Sequence, residues 1–294
     1  MEPAMSLFSR TPHIQPTLAG RLSNPTSPRR KRVVGNWKMY GNLALCRQAV
    51  PLLAEIATAD VDLVLCPPAP YLGEVARLAH GSHLQYCSQN VAELADGART
   101  GEWSAHMLAD LGCHYAIVGH SERRLHHHEN DVLIAAKAKA CVQAGITPIV
   151  CIGENWVQRQ TGQTEAVLQY QLGTLLESGA WQGAIIAYEP VWAIGTGIAA
   201  TPEEAQAAHR FIREQIAAHG VAAAAAITLL YGGSVNADNA AALFAMPDID
   251  GGLVGGASLD TGAFLRIYAA AQAADTAIHP AVVAGALQYP GQSR

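Results

Sequence analysis

No two of the six cysteines stand in a C-x-x-C arrangement. They fall at Cys46, Cys66, Cys87, Cys113, Cys141 and Cys151, widely spaced and with no secretory leader before them. That pattern argues against a disulfide scaffold and against a zinc site, and for free buried thiols in a reducing, cytoplasmic compartment. Long apolar runs are also missing. The longest, Val221 to Leu230, is mostly alanine and falls far short of the roughly 20 residues a membrane-spanning helix needs. An excess of positive charge is absent too. Lysine and arginine total 19 against 24 acids, well mixed along the chain, so no basic face for nucleic acid is expected. No internal repeat is strong enough to define a repeat architecture, and no G-x-G-x-x-G turn follows the first β-like run.

What is present is 294 residues, half of them hydrophobic, enough for a large core. The stretch 1–31 stands apart, with five prolines, seven serines or threonines, four arginines and one acid. It reads as a disordered tail. A transit peptide or a start placed upstream of Met5 are the other readings, though the prolines oppose an amphipathic helix. The stretch 275–294 reads as a second appended tail, broken by Pro280, Pro290 and glycines.

Between them, residues 32–274 carry one rhythm: a short apolar run, then a longer helical stretch, eight times over. The short runs are Arg32–Gly35, Val61–Cys66, Leu84–Ser88, Tyr115–Val118, Thr147–Cys151, Ala184–Tyr188, Thr228–Tyr231 and Gly251–Val254. Continuous rather than alternating hydrophobicity is the mark of parallel strands buried on both faces. Thr201-Pro202-Glu203-Glu204 opens a helix with a capping threonine, a proline at the first position and a glutamate three residues past the cap; the pattern runs to about His219 and stops at Gly220. Alanine-rich patches at Ala135–Ala140 and Ala269–Ala274 are further helix formers. The expected architecture is an α/β fold, a single-domain (β/α)8 barrel with extra N- and C-terminal tails; an open doubly wound sheet is the rival.

Functional residues of such a barrel sit just past the C-terminal ends of the strands. There the chain places Asn36 and Lys38 after the first strand, His120 after the fourth and Glu189 after the sixth. Gly232-Gly233-Ser234 follows the seventh and Gly255-Gly256 the eighth. Paired glycines leading into helical turns let backbone N–H groups approach an anion, and two pairs at successive strand ends point to phosphate. Alone, His120 reads as a structural histidine and Lys38 as a surface lysine. Together with Glu189, at the end of the apolar run Ile185–Tyr188, they suit proton abstraction beside a carbonyl. A carboxylate takes the carbon-bound proton while imidazole and ammonium hold the oxygen charge, with no metal or cofactor required. Pro190 to Gly197 reads as a lid rooted on Glu189, against the plainer reading of a surface loop with a packing tryptophan.

At these residues the chain resembles the triosephosphate isomerase family. The matching segments are Gly35–Met39, Gly119–Arg124, Cys151–Glu154, Ala187–Gly197, Tyr231–Val235 and Gly252–Leu259, in the family's order. The resemblance implies interconversion of dihydroxyacetone phosphate and D-glyceraldehyde 3-phosphate through an enediolate. It implies Glu189 as base, His120 as electrophile and Lys38 as cation, with Asn36, Gly195, Ser234, Gly255 and Gly256 around the substrate. It also implies a homodimer formed through the loop 89–102, with Thr100 at its tip and Glu122 beside the catalytic lysine and the interface. Tyr40, Ser88 and the run His126-His127-His128 depart from the family's pattern without touching the implied chemistry.

Two other readings compete. An imine-forming aldolase needs a lysine on a barrel strand, whereas Lys137 and Lys139 fall on an expected helix. A non-catalytic scaffold would have lost one of Lys38, His120 and Glu189, and all three are present.

Overall fold

The computed structural model describes residues 29–194 and 199–278. Eight strands close into a barrel in sequence order. They are β1 (Arg32–Asn36), β2 (Asp62–Cys66), β3 (Gln85–Ser88), β4 (Tyr115–Val118), β5 (Thr147–Ile152), β6 (Ile185–Tyr188), β7 (Leu229–Tyr231) and β8 (Gly251–Val254). Every neighbouring pair is parallel, and β1 meets β8 in the register Arg32↔Gly251 to Gly35↔Val254. The eight expected runs are therefore the eight strands, with ends displaced by about one residue, the ordinary uncertainty of element boundaries.

The apolar runs are continuous because both strand faces are covered. Val34, Val64, Ile117, Ile149, Ile185 and Leu253 fill the barrel interior. Val33, Leu63, Leu65, Val118, Val150 and Ile186 point outward into the larger core beneath the helices. Successive residues thus serve two cores, as the period of two along a strand requires.

The helices are α1 (Leu43–Ile56), α2 (Ala69–Ala79), α3 (Ala105–Asp110), α4 (Ser121–His127), α5 (Asp131–Gln143), α6 (Trp156–Gln160), α7 (Thr164–Ser178), α8 (Pro202–Ala217), α9 (Val221–Ala226), α10 (Ala240–Phe244) and α11 (Thr261–Ile278). The capping box read from Thr201 and Glu204 is formed: Thr201 Oγ1 accepts from Glu204 N at 3.2 Å, and Glu204 Oε2 from Thr201 N at 2.9 Å. The alanine-rich patches lie in α5 and α11.

At the far rim, the chain before β1 is already tied to the barrel. Arg29 pairs with Asp250 at 2.8 Å and Arg30 with Asp62 at 2.9 Å, while Lys31 Nζ donates to the carbonyls of Phe244 and Ile249. Among the described residues, contacts with the barrel thus begin at Arg29 and the last helix ends at Ile278.

α4 ends at His128, whose φ of 55° and ψ of 33° lie in the left-handed region. A side chain there crowds the backbone, and helices usually end on glycine in this conformation. His128→Gly is expected to raise unfolding stability by about 0.5–1 kcal/mol, measured by denaturant titration; a loss of stability would contradict this account of the turn.

All six cysteines are buried and unpaired. Burial pushes the Cys141 thiol up to about 12 and raises those of Cys87, Cys113 and Cys151 as well. A thiol without access or thiolate character is unreactive. Ellman's reagent is expected to modify no cysteine of the native chain over minutes at pH 8 and all six in denaturant; prompt labelling of the native chain would refute this.

Candidate active site

β1 ends at Asn36, which is buried, and the chain then turns sharply. Lys38 sits at φ 54°, an unfavourable backbone angle for a lysine. Two bonds hold it there, and a third fixes the side chain that makes one of them. Asn36 Oδ1 accepts from Lys38 N at 2.9 Å, Gln89 Nε2 donates to Lys38 O at 2.9 Å and to Cys66 O at 2.8 Å. The neighbouring Trp37 is buried, with its indole N–H on Ser258 O. So constrained, Lys38 extends its ammonium to Glu122 Oε1 at 2.6 Å. Glu122 is half exposed, so this pair is partly screened by solvent.

His120 follows β4 through Gly119, whose φ is 69°. The ring caps α4: Nδ1 accepts from the backbone N–H of Glu122 at 3.2 Å. Glu122 Oε2 also lies 3.6 Å from Nδ1, but the closer backbone donor occupies that lone pair. With Nδ1 an acceptor, the ring proton resides on Nε2. That nitrogen faces Glu189 Oε1 at 3.1 Å.

Glu189 follows β6 and is 2% exposed. Its backbone N–H donates to Ile152 O at 2.7 Å, and Oε2 accepts from Ser121 N at 2.9 Å, the first amide of α4. Oε1 has no aligned donor among the described residues, since the His120 approach is close but off the hydrogen-bond direction. One carboxylate oxygen is thus anchored and the other is bare. A Cβ at Gly232 would lie 2.8 Å from Glu189 Cγ, so the Gly-Gly turn after β7 also makes room for the carboxylate. Burial, with the Glu189 charge second, raises the Cys151 thiol beside it.

Residues flanking Glu189 hang on a second carboxylate that sequence reasoning had left without a role. Glu154 is completely buried; its Oε1 accepts from Tyr188 OH at 3.1 Å and from Trp192 Nε1 at 2.9 Å. Its carbonyl accepts from Val191 N. Arg159 stacks on the Trp192 ring at 4.6 Å and pairs with Glu204 at 2.6 Å. Glu154 stands in a motif the sequence displayed, but nothing local marks what it binds. Gln89 and Ser121 were likewise not singled out for the contacts described above.

Opposite Glu189, the turns after β7 and β8 bring Ser234, Gly255 and Gly256 to the same cavity of about 1270 Å³ that Asn36, Lys38 and His120 line. The amides of Gly233, Ser234 and Gly255 make no hydrogen bond among the described residues. A Cβ at Gly255 would lie 3.5 Å from Lys38 Cε, an ordinary contact, which places the lysine's stem directly beside the turn after β8. Gly195 lies outside the described residues; Ile194 before it lines the cavity.

The loop 89–102 rises from the same wall. Trp103 Nε1 donates to Asn90 O at 2.8 Å and Ala92 N to Trp103 O at 2.9 Å, which closes the loop's root. Lys137 Nζ holds Asn90 Oδ1 at 2.8 Å and Glu129 at 2.6 Å, all three buried. Lys137 therefore lies on a helix in a structural ion pair, away from the barrel strands. Thr100 is exposed on the loop, and Glu122 lies across the cavity with Lys38.

Fold and site together define a class: a (β/α)8 barrel whose strand ends gather a carboxylate, an imidazole and an ammonium opposite glycine turns open to an anion. The sequence model described as triosephosphate isomerase matches residues 31–271. A triosephosphate isomerase of Xanthomonas oryzae pv. oryzae (strain PXO99A) is 49% identical over 249 residues, covering 83% of this chain and 99% of the relative. One of Cupriavidus taiwanensis is 49% identical over 81% of this chain and 98% of its own length. One of Nitrosomonas europaea is 48% identical over 82% and 97%. The chain belongs to the triosephosphate isomerase family.

Beneath the site, His209 of α8 is fully buried, packed edge-on against Tyr188 at 5.6 Å with Nδ1 on Ala205 O at 2.7 Å. Burial lowers its pKa, as it does for His114. Unfolded histidine titrates near 6.5. Below that pH the unfolded chain binds protons the folded chain refuses, so these residues stabilise fully above about 6.5 and less as pH falls toward their folded values. Unfolding free energy is expected to decline from about pH 7 to 5.5, with a shallower slope in His209→Gln; an unchanged slope would remove His209 from this account.

Proposed function

We propose that this chain interconverts dihydroxyacetone phosphate and D-glyceraldehyde 3-phosphate, the triosephosphate isomerase reaction of glycolysis and gluconeogenesis. The observation that carries the reading is the bare, buried Oε1 of Glu189, 3.1 Å from the His120 Nε2 and facing the cavity of Lys38 and the glycine turns. Oε1 removes a proton from the carbon beside the carbonyl. Electrons move to the carbonyl oxygen, giving an enediolate whose charge is met by the Nε2–H of His120 and the ammonium of Lys38. The proton of the adjacent hydroxyl passes to this oxygen, the second carbon–oxygen bond becomes the new carbonyl, and the carboxylic acid so formed returns its proton to the former carbonyl carbon, completing an aldose–ketose exchange with no net redox change.

Asn36 supports the substrate oxygens directly or through the Lys38 turn it braces. The free amides at Ser234 and Gly255, with Gly256 beside them, suit the phosphate. Gly195 is assigned to the same group by family resemblance. The working unit is a homodimer through the loop 89–102, with Thr100 and Glu122 at the contact. The catalytic domain is 32–274, flanked by the segments 1–31 and 275–294. Among the described residues no helix is long and apolar enough to cross a membrane, and the cytoplasm is the proposed location.

Glu189→Asp withdraws the base by one methylene. About 1 Å of misplacement costs on the order of 100-fold in rate. The expected result is a kcat lowered about 100-fold in a coupled assay with glyceraldehyde 3-phosphate, with unfolding stability little changed. Parental turnover in Glu189→Asp would exclude Glu189 as the base.

A further inference from the structure

α7 turns a leucine stripe inward, and one amide interrupts it. Leu168, Leu172, Leu175 and Leu176 are its buried residues. Gln171 falls on the same face by the helical period, between Leu168 and Leu172. A glutamine amide turned toward a core has to find partners there. It finds them in a single residue at the end of β5. Gln171 Oε1 accepts from Gly153 N at 2.8 Å, and Gln171 Nε2 donates to Gly153 O at 3.3 Å.

Gly153 needs these bonds because of where β4 ends. The pairing of β4 with β5 runs from Tyr115↔Thr147 to Val118↔Val150, after which the chain leaves β4 through Gly119 into α4. Past that register β4 offers β5 no further paired residue. Arg124 Nη2 meets the carbonyl of Cys151 at 3.0 Å. Neither the N–H nor the C=O of Gly153 has a backbone partner among the described residues, and Gln171 supplies both. One side chain thus stands in for the missing strand, and the two backbone groups fix which end of its amide is oxygen.

The position of Gly153 matters because Glu189 rests on it. A Cβ at Gly153 would overlap the carbonyl of Glu189, so the two backbones touch and only glycine fits between them. On either side of this contact, Glu189 N donates to Ile152 O at 2.7 Å and Val191 N to Glu154 O at 3.0 Å. The backbone that carries the carboxylate is therefore laid along residues 152–154, and the middle of that stretch is held from outside the barrel by Gln171. We infer that Gln171 is a positioning residue for the isomerisation: through Gly153 it sets where the Glu189 backbone sits at the rim, and so the reach of the bare Oε1 into the cavity. The inference rests on the isomerase reading given above. It adds a residue that meets no substrate, since Gln171 does not line the cavity.

The test is steady-state kinetics of the full chain with glyceraldehyde 3-phosphate in a coupled assay. Gln171→Met keeps the side chain's length and helix propensity but removes both bonds. Gln171→Asn keeps the amide and withdraws it by one methylene. A base misplaced by about 1 Å loses on the order of 100-fold, and one whose support is loosened should lose less, so kcat is expected to fall about tenfold in each variant. KM should stay within about twofold of the parent, because no substrate contact is touched. Added to Glu189→Asp, where the carboxylate is already withdrawn, Gln171→Met should cost less than about twofold more, since coupled residues do not add. A merely structural role would repeat its full loss in that background. Thermal melts show which variants are folded at the assay temperature, and either one suffices. Parental kcat in the folded variants, a loss carried by KM, or a tenfold loss repeated on Glu189→Asp would overturn the inference while leaving the isomerase intact. A parent chain without turnover would instead overturn the isomerase reading, and this inference with it.

Discussion

A carboxylate buried away from water has to be held by donors, and a carboxylate that acts as a base has to keep one oxygen free. Glu189 meets both conditions. The first amide of α4 anchors Oε2, the β5 carbonyl of Ile152 anchors the backbone, and Oε1 is left to the cavity. Much of the surrounding architecture follows from this. The turn before α4 must deliver an amide and the His120 ring to the same carboxylate. Gly232 must lack a side chain. Tyr188 and Trp192, on either side of Glu189 in sequence, are tied to buried Glu154, so that the carboxylate cannot drift along its own strand end.

The second constraint is closure. Lys38 and Gly255 are more than two hundred residues apart in the chain and neighbours only because β1 pairs with β8. The lysine reaches the site from a left-handed turn that a lysine would not adopt unaided. Its strain is met by Asn36 at the end of the same strand and by Gln89 from two strands away. The position of the cation is thus a property of three strands rather than of one.

Much of the fold was legible because it rests on local rules. Apolar runs buried on both faces read as parallel strands, and a Thr-Pro-Glu-Glu start reads as a helix start, whatever lies elsewhere in the chain. The main catalytic candidates were legible too, because strand ends in a barrel of this kind share one rim. Glu154 and Arg159 were not read as supports for Glu189, nor Gln89 as a brace for Lys38. Each acts on a residue distant in sequence, and no periodicity marks such a contact. The run His126–His128 looked like exposed surface. It is exposed, yet two of its members line the mouth of the site and the third takes the left-handed angle that ends α4.

By itself the sequence determined the eightfold order of strands and helices, the absence of a membrane-length helix, and the residue types available for proton transfer. These follow from hydrophobic spacing, capping chemistry and side-chain inventory, all of which act within a few residues. Only the tertiary structure decided which Glu189 oxygen is bare, which nitrogen of His120 carries the proton, and which charges at the mouth of the cavity are already matched. Those depend on distances of about 3 Å between groups contributed by different strands, and such distances exist only once the barrel has closed.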